Sequence, residues 1–235
     1  MSTVMVAAHR GVAAGAAENT IEAFTNAIAI GADMIEFDVR MTRDGELIAF
    51  HDARVNGIAI GSLTRDDIEA GAGVRPPLLT EVLSACAGRI KLDVELKEDG
   101  YVAEVMAELK AITDPGEFVV TSFLPSAVGA AKIAFPEVKT GLLIGGSARW
   151  AGLPTRLREL YPVGVARSVR ADYLAPHYSL AQYGTVGRAA AAGLPCLVWT
   201  VNSDSDIRAF AADDRIAAII TDRAERALAI VASAA

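Results

Sequence analysis

Residues 34–39 read Met34-Ile35-Glu36-Phe37-Asp38-Val39. Apolar and acidic side chains alternate here, and a period of two marks a β-strand, whose successive side chains face opposite sides. Ile35, Phe37 and Val39 share one face, while Glu36 and Asp38 share the other. The apolar face needs a layer to bury it, and the preceding segment supplies one. Asn19–Ile30 carries Phe24, Ala27 and Ile28 at helical spacing, with Asn19 as the expected N-cap, Glu22 as its capping-box partner and Gly31 as the stop. Val4–Ala8, ahead of that helix, is another short apolar run. Strand, helix and strand in that order form a βαβ unit with parallel strands.

The same rhythm continues outward. Further strands are expected at Leu47–Phe50, Ile90–Leu96, Phe118–Thr121, Thr140–Ile144, Asp172–Ala175, Cys196–Val201 and Ala217–Thr221. Helices are expected at Thr80–Ala87, Tyr101–Ile112, Pro125–Ala134, Leu180–Ala192, Asp204–Ala212 and Arg223–Ala234. Residues 145–171, with Gly145-Gly146, Trp150 and Pro154, break the rhythm and suggest a mobile loop plus a short helix. Roughly eight βα units in a chain of this length suit a (β/α)8 TIM barrel, with catalytic groups at the C-terminal ends of the strands. A doubly wound open sheet is the alternative. No linker or composition break divides the chain. Residues 1–235 are therefore expected to form a single barrel domain, with 53–78 a short insertion between strand 2 and its helix, capping the catalytic end.

Composition narrows the function. The chain is 52% hydrophobic but only 6% aromatic, so Ala, Val, Ile and Leu must fill layered helix-on-sheet packing. Its formal net charge is −7, and no basic face is visible, which argues against a nucleic-acid partner. Cys86 and Cys196 are far apart in apolar surroundings and are expected to be reduced and buried. The N-terminus lacks a basic n-region, and no apolar run is long enough to span a bilayer. These features suggest a soluble cytoplasmic protein without stable membrane association. They leave the oligomeric state open.

The polar faces of the strands carry the chemistry. Two carboxylates on the inward face of a barrel strand are costly unless a cation compensates them, and oxygen ligands suit a hard cation. Lys91, Asp93, Glu95 and Lys97 repeat the device, alternating with Leu92, Val94 and Leu96. A surface strand would alternate in the same way, but beside Glu36 and Asp38 the interior placement gains, making Glu95 the expected third ligand and Lys97 a phosphate contact. His9 and Arg10 end the first strand. Arginine offers a two-pronged donor for phosphate. His51 ends another extended segment. Only three histidines occur in the chain, and two of them here suit a general acid and a general base, imidazole being the side chain that ordinarily titrates near neutral pH.

The ordered set Ala8-His9-Arg10-Gly11, Glu18-Asn19-Thr20, Ala23-Phe24, Gly31-Ala32-Asp33, Ile35-Glu36-Phe37-Asp38-Val39, Thr42-Arg43-Asp44-Gly45 and His51-Asp52 resembles the glycerophosphodiester phosphodiesterase family. Val94-Glu95-Leu96-Lys97, Ser122-Phe123, Trp199-Thr200-Val201-Asn202 and Ile220-Thr221-Asp222 extend the resemblance along essentially the whole chain. It implies a TIM barrel that binds one divalent cation, Mg2+ or Ca2+ with Mn2+ a further candidate. The implied activity is hydrolysis of small-molecule glycerophosphodiesters to sn-glycerol 3-phosphate and an alcohol, through a cyclic phosphate. Carried over by position, Glu36, Asp38 and Glu95 are the implied metal ligands and His9 and His51 the acid–base pair. Arg10 and Lys97 are implied to contact phosphate, Glu18 to support Arg10 or the metal, and Trp199 to pack against the substrate's carbon skeleton. The stretch Ala53–Pro77 is shorter than its family counterpart, and His177 has no assigned role. Two rivals stand beside this: a lysophospholipase D or other phospholipid phosphodiesterase, for which Ile58–Leu63 could offer an apolar rim, and a catalytically inactive barrel that binds phosphate esters.

Overall fold

The strand segments close on themselves. In the computed structural model, which describes residues 4–12, 15–145 and 161–234, β1 (Met5–His9) pairs in parallel with β2 (Met34–Met41). The ring continues in parallel through β6 (Lys91–Leu96), β7 (Phe118–Ser122), β8 (Lys139–Ile144), β9 (Tyr173–Pro176), β10 (Cys196–Val198) and β11 (Ile216–Thr221). Pairing of Met5 with Ala218 through Ala8 with Thr221 joins β11 back to β1. That closure excludes the open-sheet alternative, which would leave two free edges. The protein is a (β/α)8 barrel.

Two apolar layers hold it. The outward faces of the strands, among them Val6, Ile35, Phe37, Val94 and Val120, pack under the helices. Inside the barrel, Ala7, Met34, Val119, Leu143, Ala175, Leu197, Ala218 and Ile220 form a separate buried cluster. Successive inward positions are two residues apart. Met34 at the base of β2 is thus followed inward by Glu36 and Asp38, and Ala7 on β1 by His9. The barrel interior changes from an apolar plug to a charged layer over one step of each strand, at the C-terminal end where barrel sites lie.

The helices are α1 (Ile21–Ala29), α2 (Arg65–Ala72), α3 (Leu79–Cys86), α4 (Val102–Ile112), α5 (Pro125–Ala134), α6 (Pro162–Ser168), α7 (Val186–Ala191), α8 (Asp204–Ala211) and α9 (Ala224–Ala234). All follow the expected positions except α2, a helix inside the insertion that the sequence reading did not place. Two details differ. Thr20, not Asn19, caps α1, its hydroxyl accepting from the Ala23 amide at 3.3 Å. Asn19 instead adopts a left-handed backbone (φ 57°), which asparagine tolerates better than most residues, and turns its side chain into the barrel. The helix expected over Leu180–Ala192 is broken: a turn at Tyr178–Leu180 and a wide turn at Ala181–Thr185 precede α7. Gly184 at φ +82° interrupts the helical backbone there, a conformation open to glycine. Of the irregular stretch 145–171, α6 is the short helix, and residues 146–160 lie outside the described residues.

The insertion has its own architecture. After β3 (Leu47–Ala49), which runs antiparallel to the end of β2, come a small hairpin of β4 (Arg54–Val55) and β5 (Ile58–Ala59), a 3-10 turn at Ile60–Ser62, and α2. Thr64 and Asp67 form a capping box at the start of α2. Ile48, Val55, Ile60, Leu63 and Ile68 bury one another in a satellite core. Ile60 and Leu63 are therefore spent inside the insertion, and only Ile58 of that apolar run is half exposed. The Ile58–Leu63 rim is not formed.

Cys86 and Cys196 are free and buried, as expected, and burial pushes their thiols up to about 11 and about 12. Among the described residues, no helix is long and apolar enough to cross a membrane.

Candidate active site

Strand register assembles the charged layer. His9 on β1 lies beside Glu36 on β2, and Asp38 on β2 lies beside Glu95 on β6. Glu36, Asp38 and Glu95 each bring one carboxylate oxygen within 4.8 Å of the others, and all three are buried. They are the one such acidic group among the described residues. Like charges this close resist joint ionisation. Burial, then Asp38, Glu95 and Asp93, push the Glu36 carboxyl well above its ordinary value, and burial raises Glu95 despite Lys97. Asp38 goes the other way: burial opposes its charge, but Lys97, Arg10 and Asn19 outweigh burial and hold it below the usual range.

Each of those three neighbours touches Asp38. The Lys97 ammonium lies 2.5 Å from both Asp38 Oδ1 and Glu95 Oε1. Arg10 Nε lies 3.3 Å from Asp38 Oδ2. Asn19 Nδ2 donates to Asp38 Oδ2 at 2.8 Å, and its carbonyl accepts from the Asp38 amide at 3.2 Å. Arg10 also donates from its backbone amide to Glu36 (3.1 Å) and from Nη1 to Glu18 (2.8 Å), so Glu18 supports Arg10 directly. Arg10 holds a left-handed backbone, φ 52°, an uncommon and costly conformation that clusters at functional sites. The turn is completed by Gly11 at φ +84°, where a Cβ would meet the Ala23 backbone at 2.8 Å.

The histidines are each tied by one nitrogen. His9 Nδ1 lies 2.5 Å from Asp222 Oδ1, while its Nε2 lies 3.8 Å from Glu36. Asp222 is fixed by Asn202, whose Nδ2 donates at 2.6 Å and whose oxygen accepts the Asp222 amide at 3.0 Å. The bond to His9 holds the Asp222 carboxyl below its ordinary value. His51 Nδ1 lies 2.8 Å from Asp52 Oδ1, and burial lowers the His51 pKa.

His9, Arg10, Glu36, His51, Glu95, Lys97 and Trp199 line one cleft of about 420 Å3. Trp199 packs against the inner apolar core while facing the cleft, its indole N–H donating to the Ala175 carbonyl at 2.8 Å and its ring meeting Phe123 edge to face at 5.3 Å. All nine residues singled out from the sequence thus meet at one end of the barrel, Asp38 and Glu18 through Arg10. His177 stands apart from the cleft lining: its Nδ1 pairs with the Ser179 hydroxyl at 2.8 Å, and its ring packs on Tyr178 and Trp199.

Asn19, Asp222 and Asn202 belong to the sequence motifs, but no role in the site was legible for them, Asn19 being expected only as a helix cap. Their partners lie 19, 213 and 20 residues away, so only barrel closure and the Asn19 turn reveal them. Asp93 is also new to the site. It is buried one step below Glu95, accepts from Thr121 Oγ1 at 2.7 Å, and burial pushes its carboxyl up to about 7.

The family model for the glycerophosphoryl diester phosphodiesterase family matches residues 9–69 and 80–226, which spans every residue of this cleft. The chain belongs to that family. A glycerophosphodiester phosphodiesterase of Caldanaerobacter subterraneus subsp. tengcongensis is 31% identical to this family member over 160 residues, 59% of this chain and 66% of the relative. The matched stretch thus spans just under two thirds of the length of such curated relatives. A glycerophosphodiester phosphodiesterase from Parabacteroides distasonis shares the fold, with a TM-score of 0.82 at 24% identity, over 99% of this chain and 98% of that one. A phosphodiesterase of Oleispira antarctica, solved in complex with the product sn-glycerol-3-phosphate, has a TM-score of 0.76 at 21% identity, over 98% of this chain and 97% of that one.

Proposed function

We propose that this chain hydrolyses glycerophosphodiesters to sn-glycerol 3-phosphate and an alcohol, using a divalent cation and two histidines. The observation that carries the proposal is the convergence of a buried three-carboxylate cluster and two partly buried histidines on one cleft. Family membership and the glycerol 3-phosphate complex of the structural neighbour point to the same substrate class.

The residues fit the cation. Glu36, Asp38 and Glu95 offer hard oxygen donors, and their mutual repulsion in a buried layer is what a divalent charge relieves. Mg2+ or Ca2+ is the proposed occupant. Bound there, it would supply Lewis-acid stabilisation of phosphoryl charge.

The remaining steps belong to the side chains. Arg10 and Lys97 attract the phosphodiester and offset the charge that builds on its oxygens. One histidine accepts the proton of the glycerol 2-hydroxyl as that oxygen bonds to phosphorus. The other donates a proton to the departing alcohol oxygen as its bond to phosphorus breaks, leaving a five-membered cyclic phosphate. Water then opens the ring, with the proton transfers reversed, and gives sn-glycerol 3-phosphate. With Nδ1 tied to Asp222 or Asp52, the nitrogen left to exchange protons is Nε2 in each histidine. Trp199 and Phe123 provide the apolar wall for the substrate's carbon skeleton.

The test is a panel of glycerophosphodiesters incubated with Mg2+, Ca2+, Mn2+ or chelator, with detection of sn-glycerol 3-phosphate. Release with a cation and loss with chelator supports the proposal; no product with any cation overturns it.

A further inference from the structure

Arg40 is the next inward residue on β2 after Glu36 and Asp38, yet it lines no part of the cleft. It is buried, and a buried guanidinium is costly unless its donors are used. Here they are. Nε and Nη2 both donate to the backbone carbonyl of His51, at 3.0 and 2.7 Å. Nη1 donates to the Glu98 carboxylate. Glu98 is anchored in turn by Tyr101, whose hydroxyl lies 2.5 Å from Glu98 Oε2, 2.6 Å from the Val39 carbonyl, and accepts from the Glu98 amide at 3.1 Å. Burial pushes the Tyr101 phenol well above its ordinary value, so it remains a donor.

The location gives this network its consequence. The last β2–β3 ladder contact before His51 is the Phe50 amide to the Asp38 carbonyl, at 2.9 Å. Beyond it the chain leaves the sheet toward the insertion. His51 is thus the first residue past the regular ladder, and its side chain is the more exposed of the two site histidines, 43% against 17% for His9. Its imidazole contact, Asp52, is 71% exposed, so that bond occupies Nδ1 but adds little to holding the His51 backbone in place.

We propose that Arg40 is a positioning residue for His51. Its two bonds to the His51 carbonyl hold that histidine at a set distance from the carboxylates Glu36 and Asp38, because Arg40 shares the β2 face that carries both carboxylates. The inference rests on the acid–base role proposed for His51. Nothing in it requires Arg40 to touch substrate. A backbone displaced by about 1 Å can cost about a hundredfold in rate.

The experiment compares R40Q, R40K, Y101F and H51A on the full chain. Measurements are kcat and KM, calorimetric affinity for Mg2+ or Ca2+, and the side-chain 15N spectrum of the three histidines. R40Q is expected to lower kcat tenfold or more with KM within twofold, unchanged cation affinity, and shifted His51 signals beside unmoved His9 signals. R40K, which keeps the positive charge and N–H donors but loses the planar fork, should recover part of the loss. Y101F keeps the charge pair and provides a milder variant if R40Q folds poorly; a smaller kcat loss of the same kind is expected. The inference is overturned if H51A loses activity while R40Q and Y101F keep native kcat, or if kcat falls with His51 signals unmoved. Native turnover in H51A would instead overturn the acid–base reading on which the inference stands.

Discussion

His9 Nδ1 and Asp222 Oδ1 lie 2.5 Å apart although 213 residues separate them in the chain. The contact exists because β11 pairs with β1, bringing the last strand's end beside the first strand's end. A carboxylate on one imidazole nitrogen fixes ring orientation and tautomer and favours the protonated ring that forms during proton transfer. D222N is predicted to lower kcat by about 10²–10⁴, the range of general acid–base contributions. N202A should show a smaller loss, since it releases Asp222 without removing it. Steady-state kinetics on both variants check this.

The carboxylate cluster predicts a stability response independent of turnover. A ligand that binds only the folded state raises its melting temperature with concentration. Mg2+ or Ca2+ should raise the Tm of the native chain. E36Q, D38N and E95Q should each reduce or abolish that rise. E36Q should also be as stable as the native chain without cation, because it removes a buried carboxylate repelled by its neighbours. Differential scanning calorimetry with and without cation measures both effects.

Gly11 makes the turn that carries Arg10 into the site. G11A places a Cβ against the Ala23 backbone at a backbone angle that non-glycine residues rarely adopt. The predicted cost is about 2–3 kcal/mol. It should show as a lower denaturation midpoint at unchanged m, with reduced activity in the folded fraction.

At the opposite end of the barrel, Asp172 accepts from Lys132 at 2.8 Å, Lys139 at 3.0 Å and the Thr140 amide at 2.9 Å. Burial alone would raise its pKa, but these donors hold it below the ordinary carboxylate value. A folded-state pKa below the unfolded one adds stability above the unfolded value of about 3.9, lost as pH falls through the folded value. D172N should therefore cost about 1 kcal/mol at pH 7, and its Tm should converge on the native one below about pH 4.

These cases mark what was legible in the sequence. The period-two strand carrying Glu36 and Asp38, the repeat at Lys91–Lys97 and the βα rhythm depend on local pattern, and the strands formed within a few residues of expectation. What was missed depended on long-range closure or on a single backbone angle. Asn19 looked like a helix cap because cap chemistry is local; its left-handed backbone sends the side chain to Asp38 and leaves the cap to Thr20. Gly184 broke a helix whose apolar period was otherwise continuous. Ile60 and Leu63 read as an exposed rim because no sequence pattern showed the satellite core that buries them.

The central claim is that His9 and His51 move protons at a cation-dependent phosphodiester site. The most direct test is release of sn-glycerol 3-phosphate from glycerophosphocholine by the native chain, H9A and H51A, each with Mg2+ or Ca2+ and with chelator. The account predicts cation-dependent release by the native chain and a loss of orders of magnitude in both variants, with near-native Tm. Turnover near native in both variants, or release undiminished by chelator, would contradict it.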